Sequence, residues 1–378
     1  MRVLVAMSGG VDSSTVAGLL AEAGHEVIGV TLQLYDHGAA SGRRGACCAG
    51  QDIHDARRVA DRLGIPHYVI DAEARFRDAV IADFAATYAA GETPVPCVRC
   101  NQTVKFTDLV ALARDLGCAR LATGHYVRRI EATAGPELHC AADPARDQSW
   151  FLFATTPAQL SMSLFPLGDM PDKATVRAAA ARLGLPVAAK PDSQDICFVP
   201  SGSYAETVGR LRPDALGAGD IVTLAGAVVG RHDGIARYTV GQARRLGTAA
   251  RSGGARQVVV ALEAATRRVV IGPAAAAARR EVAVGAVNWL APPMRRRCLV
   301  KLRARDQPQA AELVPDGAGA RLLLERPALA APGQAAVFYE GSRVLGGGFI
   351  RRPAATVDAG TEAAVSARPQ QDGGVAQR

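Results

Sequence analysis

Val3-Leu4-Val5-Ala6-Met7-Ser8-Gly9-Gly10-Val11-Asp12-Ser13-Ser14 decides the fold. Arg2 to Met7 is an almost unbroken apolar run, the signature of a central strand in a parallel sheet. From Ser13 onward Val16, Leu19, Leu20 and Ala23 fall on one helical face, and Gly24 stands where a helix C′ residue belongs. Between strand and helix, Gly9 and Gly10 permit positive φ and close approach of the backbone to a ligand. Ser8, Ser13 and Ser14 add hydroxyls beside N–H groups at a helix N-terminus, where the macrodipole favours an anion. The set reads as a phosphate cradle.

Two common cradles are excluded. The P-loop needs G-x-x-x-x-G-K-[ST], and no Lys occurs in the stretch. The dinucleotide pattern G-x-G-x-x-G is absent as well. Ser8 to Ser13 instead resembles the S-G-G-x-D-S loop of the ATP pyrophosphatases, which adenylate a substrate oxygen and release pyrophosphate.

At 378 residues the chain is long enough for two or three domains. Hydrophobic content of 49% and charged content of 21% suit a globular protein. A net charge of +8 points to a polyanionic partner. No apolar run approaches the length of a membrane span, and Met1 leads straight into the first strand without a signal peptide, so a cytoplasmic location and no membrane partner are expected. Eight scattered Cys argue for thiol chemistry or packing, not a disulfide framework.

Strands are expected at His25–Leu32, Ile65–Asp71 and Ala119–Tyr126, alternating with helical stripes at Ile53 to Leu63 and over 73–90. This is α/β construction: a doubly wound parallel sheet with ligands at the carboxyl ends of its strands. Residues 36–50 form a polar loop carrying Cys47 and Cys48. In Thr93-Pro94-Val95-Pro96-Cys97-Val98-Arg99-Cys100-Asn101, two prolines predict an extended loop before a helix running to Gly117. A C-x-x-C at a helix N-terminus beside Arg99 predicts lowered thiol pKa values. A structural zinc lacks its second ligand pair. Gly124 and His125 are strand-end crevice residues, and Arg146 and Gln148 belong to a polar segment suited to phosphate or base edges. A short helix is expected near 172–183. Cys197, between Ile196 and Phe198, reads on its own as a buried core thiol.

Beyond about residue 208 short β-rich runs alternate with Gly and Pro turns. Arg295-Arg296-Arg297, Lys301, Arg303 and Arg305 form the densest positive cluster, suited to a phosphate backbone. The expected division is a nucleotide domain at 1–207, a central β-rich domain at 208–278, a C-terminal β-barrel at 279–353 and a disordered tail at 354–378.

Assembled, the chain resembles the bacterial tRNA-specific 2-thiouridylases from about residue 1 to 350. The resemblance rests on Ser8 to Ser14, Thr93-Pro94…Cys100-Asn101…Lys105-Phe106, Ala122-Thr123-Gly124-His125-Tyr126 and Asp147-Gln148-Ser149. It continues through Lys190…Asp192-Ser193…Ile196-Cys197-Phe198, Tyr238-Thr239-Val240-Gly241-Gln242 and Gly346-Gly347-Gly348. It implies ATP-dependent 2-thiolation of the wobble uridine of tRNA of the Lys, Glu and Gln types. By the same resemblance Ala6, Met7, Ser8, Gly9, Gly10, Val11, Asp12 and Ser13, with Leu32 and Gly124, bind ATP. Cys100 matches the nucleophile and Cys197 the persulfide carrier, reassigning the latter from core packing. Val95, Pro96, Cys97, His125, Arg146, Asp147, Gln148, Arg303, Ala304 and Gln334 match places where relatives meet tRNA. Mg²⁺ accompanies the triphosphate, a cysteine desulfurase or persulfide relay protein supplies sulfur, and a transient Cys100–Cys197 disulfide closes the cycle.

Two departures stand out. Some relatives have Asn-Pro-Asp where this chain has Val95-Pro96-Cys97, so a carboxylate is missing. The usual Gly-Gln-Arg-x-Gly-Leu-Gly is here Gly241-Gln242-Ala243-Arg244-Arg245-Leu246-Gly247. Three alternatives are an iron–sulfur cluster on Cys97, Cys100 and Cys197, an amidotransferase or ligase on the same fold, and a non-enzymatic RNA-binding protein.

Overall fold

In the computed structural model, which describes residues 1–35, 48–192, 196–199, 204–213, 217–247, 249 and 256–353, the opening apolar run is strand β1, Arg2–Ala6. Hydrophobic residues on both faces bury its centre: Leu4 packs into one core, Val3 and Val5 into another. Parallel neighbours β2 (Glu26–Gln33) and β4 (Arg120–Ala122) flank it. β3 (His67–Asp71) and β7 (Ser163–Leu164) complete a five-stranded parallel sheet of order β3-β2-β1-β4-β7. The chain leaves β1 toward one edge and returns to the other, so the crevice lies where β1 and β4 end.

Helix α1 (Val11–Glu22), α2 (Cys48–Leu63) and the helix Lys173–Arg182 cover the Val3 face through Val16, Val59 and Val176. The helical stretch 96–115 covers the Leu4 face through Phe106, Leu109 and Val110. Proline does not exclude a helix at 96, contrary to the sequence expectation. Pro96 opens the helix Pro96–Cys100 at its first position, where a missing N–H costs nothing. A π turn, Asn101–Lys105, follows before the α-helix resumes at Phe106–Asp115. A second π turn, Arg77–Ile81, sits within the helical stretch 73–89.

A hairpin not foreseen in the sequence, β5 (Val127–Ala132) with β6 (Gly135–Cys140), leaves the parallel sheet and joins a distant partner. That partner is a barrel whose strands run in the order β12 (Ala278–Trp289), β15 (Gly319–Leu329), β14 (Gln309–Asp316), β13 (Arg296–Lys301), β16 (Ala335–Glu340) and β17 (Arg343–Ile350). Pairing of β12 with β17 closes the ring, and β6 adds to β17 at Arg343 and His139. A third sheet, ordered β10 (Gln257–Glu263), β11 (Arg268–Pro273), β8 (Gly219–Thr223) and β9 (Val228–His232), lies between the two in sequence.

The units share cores. Ala335, Val337, Tyr339 and Val344 of the barrel pack with Leu4, Val30, Phe106 and Trp150. Asn288 of β12 donates both amide hydrogens across the junction, to the carbonyls of Phe153 (2.7 Å) and Thr155 (2.9 Å). The loop before β16 meets the segment before Pro96: Thr93 N donates to Pro332 O at 2.8 Å and Gln334 Nε2 to Thr93 O at 3.3 Å. The expected tail at 354–378, Cys47 with most of the 36–50 loop, and Ser193 lie outside the described residues, as does the Cys48 side chain.

Candidate functional site

The loop after β1 is built for close approach. Gly9 has φ +72°, and a Cβ there would stand 2.1 Å from the carbonyl oxygen of Asp52. Gly10 caps α1 with extended backbone and no side-chain bond to the first turn, leaving those N–H groups open to an anion. The loop is held by its own hydroxyls: Ser8 N donates to Ser13 Oγ at 3.0 Å, and the two Oγ atoms lie 3.2 Å apart. Gly124, at the end of β4, completes the mouth. A Cβ at Gly124 would lie 2.8 Å from Ser13 N, so only glycine lets that strand end meet the loop.

A cavity of about 240 Å³ opens here. Its polar wall is Ser8, Asp12, Ser13, Thr123 and Gln148; its apolar wall includes Ala6, Met7, Val30, Leu32 and Leu121. Lys105, Phe106 and His125 line it as well. A cradle that a Cβ would fill, open helix N–H groups and an adjoining apolar wall fit a nucleotide's phosphates and base. A larger hollow of about 470 Å³, lined by Ala86, Arg212 and Arg267 among others, lies away from the glycine loop.

The loop's one acid is not free. Asp12 takes both oxygens to Lys173 Nζ at 2.7 Å and accepts the Tyr126 hydroxyl at 2.7 Å. Lys173 also reaches Asp192 at 2.8 Å, and Asp192 pairs with Arg146 at 2.8 Å and Arg177 at 3.2 Å. Lys190 donates to Gly9 O at 3.0 Å, to Asp52 at 2.7 Å and to Asp55 at 2.6 Å. Thus the 190–192 segment, leading toward Cys197, is strapped to the loop at two points. Lys173 left no signal in the sequence, since 161 residues separate it from Asp12.

Cys100 is buried, in a core shared with Val104, Phe198 and Val199, with Ile196 packed alongside. Phe198 is fixed by edge contacts to Phe76 and Phe84 at ring separations of 5.7 and 5.1 Å. Cys197 therefore rides on two residues anchored in the core that holds Cys100, while itself remaining exposed. Cys97 is exposed too, and all three are free thiols. The expected lowering of their pKa values does not occur. Burial pushes the Cys100 thiol up against the pull of Lys105; Cys97 and Cys197 are exposed as residues, but crowding around their thiols desolvates them and pushes them up as well, Cys197 to about 11 with Cys100 adding to the rise. Desolvation outweighs the short helix and its neighbouring cation.

His125 lines the cavity, lies 6.1 Å from Phe106 in a stacked arrangement, and bonds Thr123 through Nδ1 at 2.8 Å. Burial, helped by the charge of Lys105, drives its pKa down to about 3, so it is neutral. Gln148 Oε1 accepts from Tyr126 N at 2.9 Å, and the Asp147 carboxylate serves Ala141 N, Ser149 N and the Ser149 hydroxyl. Both hold the turn in shape. Val95 and Pro96 are buried, Ala304 packs against the shared core, and Arg303 makes no ion pair among the described residues. Of the arginine cluster, Arg295 pairs with Glu312 and Arg296 with Glu340, so part of its positive charge is neutralised within the barrel. Among the described residues no three His, Cys, Asp or Glu side chains are grouped as metal ligands. The three cysteines thus do not fit an iron–sulfur site in this arrangement, and no helix is long and apolar enough to cross a membrane.

A parallel α/β sheet with a glycine–serine phosphate loop at its switch point, continued by two β units, defines an ATP-pyrophosphatase-type enzyme fold with a barrel extension. The family model described as "tRNA methyl transferase HUP domain" matches residues 1–201. "tRNA methyl transferase PRC-barrel domain" matches 206–273, and "Aminomethyltransferase beta-barrel domain" matches 279–350. The tRNA-specific 2-thiouridylase MnmA of Acidiphilium cryptum is 68% identical over 93% of this chain and 100% of its own length. That of Gluconobacter oxydans is 62% identical over 93% of this chain and 99% of its own. Among solved structures, NMN synthetase from Francisella tularensis is similar at a TM-score of 0.33 and 19% identity, over 56% of this chain and 76% of that one. The chain belongs to the tRNA-specific 2-thiouridylase family.

Proposed function

We propose that the chain is a tRNA-uridine 2-sulfurtransferase, converting the wobble uridine of tRNAs of the Lys, Glu and Gln types to 2-thiouridine with ATP and a persulfide. The observation that carries this reading is the shared cavity. The Ser8–Ser13 loop lines it together with Lys105, which closes the π turn directly after the helix that bears Cys97 and Cys100. On this reading residues 1–207 hold the nucleotide, while 208–278 and 279–353 shape and grip the tRNA.

The carbonyl oxygen at C2 of uridine is a poor leaving group. ATP bound through Ala6 to Ser13, Leu32 and Gly124 presents its α-phosphorus to that oxygen. A C2–O–P bond forms and pyrophosphate departs with the electrons of the broken P–O bond, stabilised by the N–H groups of α1. Mg²⁺, carried by the triphosphate oxygens, would neutralise their charge in the cradle.

Cys197 carries the incoming sulfur as a persulfide from a cysteine desulfurase or relay protein. The terminal sulfur attacks C2 and AMP leaves with the C2–O electrons. The Cys100 thiolate then attacks Cys197 Sγ, breaking its bond to the transferred sulfur. That sulfur stays on C2 as the thiocarbonyl, and a Cys100–Cys197 disulfide forms. An external dithiol supplies two electrons and two protons to reopen it. The base must leave the anticodon stack to reach the cavity. His125, Gln148, Arg146, Asp147, Val95, Pro96, Cys97, Arg303, Ala304 and Gln334 are the proposed tRNA contacts.

Incubation of the full chain with tRNA, ATP and a persulfide donor, followed by mass spectrometry of the nucleosides, tests the proposal. The expected result is 2-thiouridine with AMP and pyrophosphate in equal amounts. Pyrophosphate release without any thiolated nucleoside would overturn it.

A further inference from the structure

We propose that Lys105, in the lining of the nucleotide cavity, is the positioning cation that eases ionisation of the buried Cys100 thiol, a role that rests on the two-cysteine reading above. Lys105 follows Cys100 by five residues and closes the π turn Asn101–Lys105, in which Phe106 N bonds Asn101 O in i→i+5 register. An unbroken α-helix would turn residue i+5 about 140° away from residue i. The wider π turn brings the two back toward one face, which gives a physical reason for the irregularity at this place.

Two further observations point the same way. Lys105 is half-buried and lines the cavity with Ser8, Ser13 and His125, yet it has no hydrogen bond or ion pair among the described residues. The nearest acid of the loop, Asp12, is already taken by Lys173 and Tyr126. A half-buried ammonium without a counter-anion is costly, so an anion is due there.

The groups that act on it are Cys97 and Cys100 from its own helix and Cys197 from the 196–199 segment. His125 faces it from the end of β4 and is held neutral, in part by Lys105 itself. Of these, only the thiols can supply the negative charge. Of the three, Cys100 is the one buried in the core.

The measurement is the pH titration of thiolate ultraviolet absorbance in the full chain, with the Cys100→Ser variant of each form subtracted as blank. Lys105→Met is expected to raise the Cys100 midpoint by about one pH unit or more, a tenfold loss of thiolate at a given pH. Lys105→Arg is expected to restore it. Thiolation by Lys105→Met should fall about tenfold near neutrality and recover as pH rises. Should Lys105→Met not fold, Lys105→Gln carries the same titration. A Cys100 midpoint that stays put in the uncharged variants overturns the proposal, including the case in which ATP affinity falls instead and Lys105 proves to be a phosphate ligand. Failure of the wild-type chain to thiolate tRNA would defeat the sulfurtransferase reading but leave this titration interpretable.

Discussion

Lys190 Nζ donates to the carbonyl of Gly9 at 3.0 Å, tying the segment that leads toward Cys197 to the glycine turn of the phosphate loop. The same ammonium neutralises Asp52 and the largely buried Asp55. One side chain therefore fixes three backbone regions around the cradle.

Replacing Lys190 by Met should destabilise the chain by about 1–3 kcal/mol, because Asp55 is left without its charged partner. Burial alone would raise the Asp55 pKa, but bonds from Lys190 and Gln51 hold it below the ordinary 3.8. Lys190, despite burial, is held above 10.5 by Asp52 and Asp55. The carboxylate's contribution is present above 3.8 and lost as pH falls through its lowered value. The ammonium's contribution is present below 10.5 and lost as pH rises through its raised value. The stability gap between wild type and Lys190→Met, read by denaturant unfolding, should accordingly be widest between those limits and shrink beyond either.

Gly124→Ala places a methyl 2.8 Å from Ser13 N and must push strand end and loop apart. ATP affinity, measured by calorimetric titration, should drop at least about tenfold, roughly 1.4 kcal/mol. Circular dichroism should remain that of the folded chain. Unchanged affinity would place the nucleotide elsewhere.

Cys100→Ser and Cys197→Ser should each abolish 2-thiouridine formation while leaving tRNA affinity within about twofold, since neither removes a charge from the tRNA-facing surface. Full thiolation by either variant would rule out the disulfide-forming route. Gel-shift titration and nucleoside mass spectrometry read the two halves of this expectation.

The Cys197 thiol, pushed up to about 11 by burial and by Cys100, should react with iodoacetamide ever faster as pH climbs, with its midpoint near that value. An ordinary thiol would level off near 9. Peptide mass spectrometry on timed samples follows the residue. A plateau at or below 9 would mean that neither the groups crowding its thiol nor Cys100 disfavours the Cys197 thiolate.

Asn288→Ala removes both amide donors that clasp Phe153 O and Thr155 O and should cost about 1–3 kcal/mol. Faster cleavage between the N-terminal sheet and the barrel in limited proteolysis would reveal the loosened junction. Leu at this site should do the same.

What the sequence disclosed was what local pattern controls. The β1–loop–α1 unit was legible because an apolar run, two glycines and a helical stripe sit side by side. The helix at Pro96 was misread because proline was weighed as a breaker and not as a first-turn residue. Hairpin β5–β6 was invisible. Val127–Ala132 mixes charged and apolar residues, and its acceptor strand lies some two hundred residues away. The Lys173–Asp12 pair was unreadable for the same reason. Thiol acidity was predicted with the wrong sign because helix position can be seen in a sequence and desolvation cannot. Of the candidate site, the loop glycines and cysteines could be named in advance; Lys173, and the partners of Lys190 and Arg146, emerged only from the folded chain.

The hairpin has a consequence for how the molecule can be taken apart. His139 on β6 pairs with Arg343 on β17, and Cys140 N donates to Ser342 O at 2.8 Å. A fragment trimmed to the nucleotide-binding portion would keep β6 but lose its neighbour, leaving a raw β edge open to other copies. Such a truncation should aggregate. The catalytic half is best regarded as one end of a continuous girder, whose other end is the barrel.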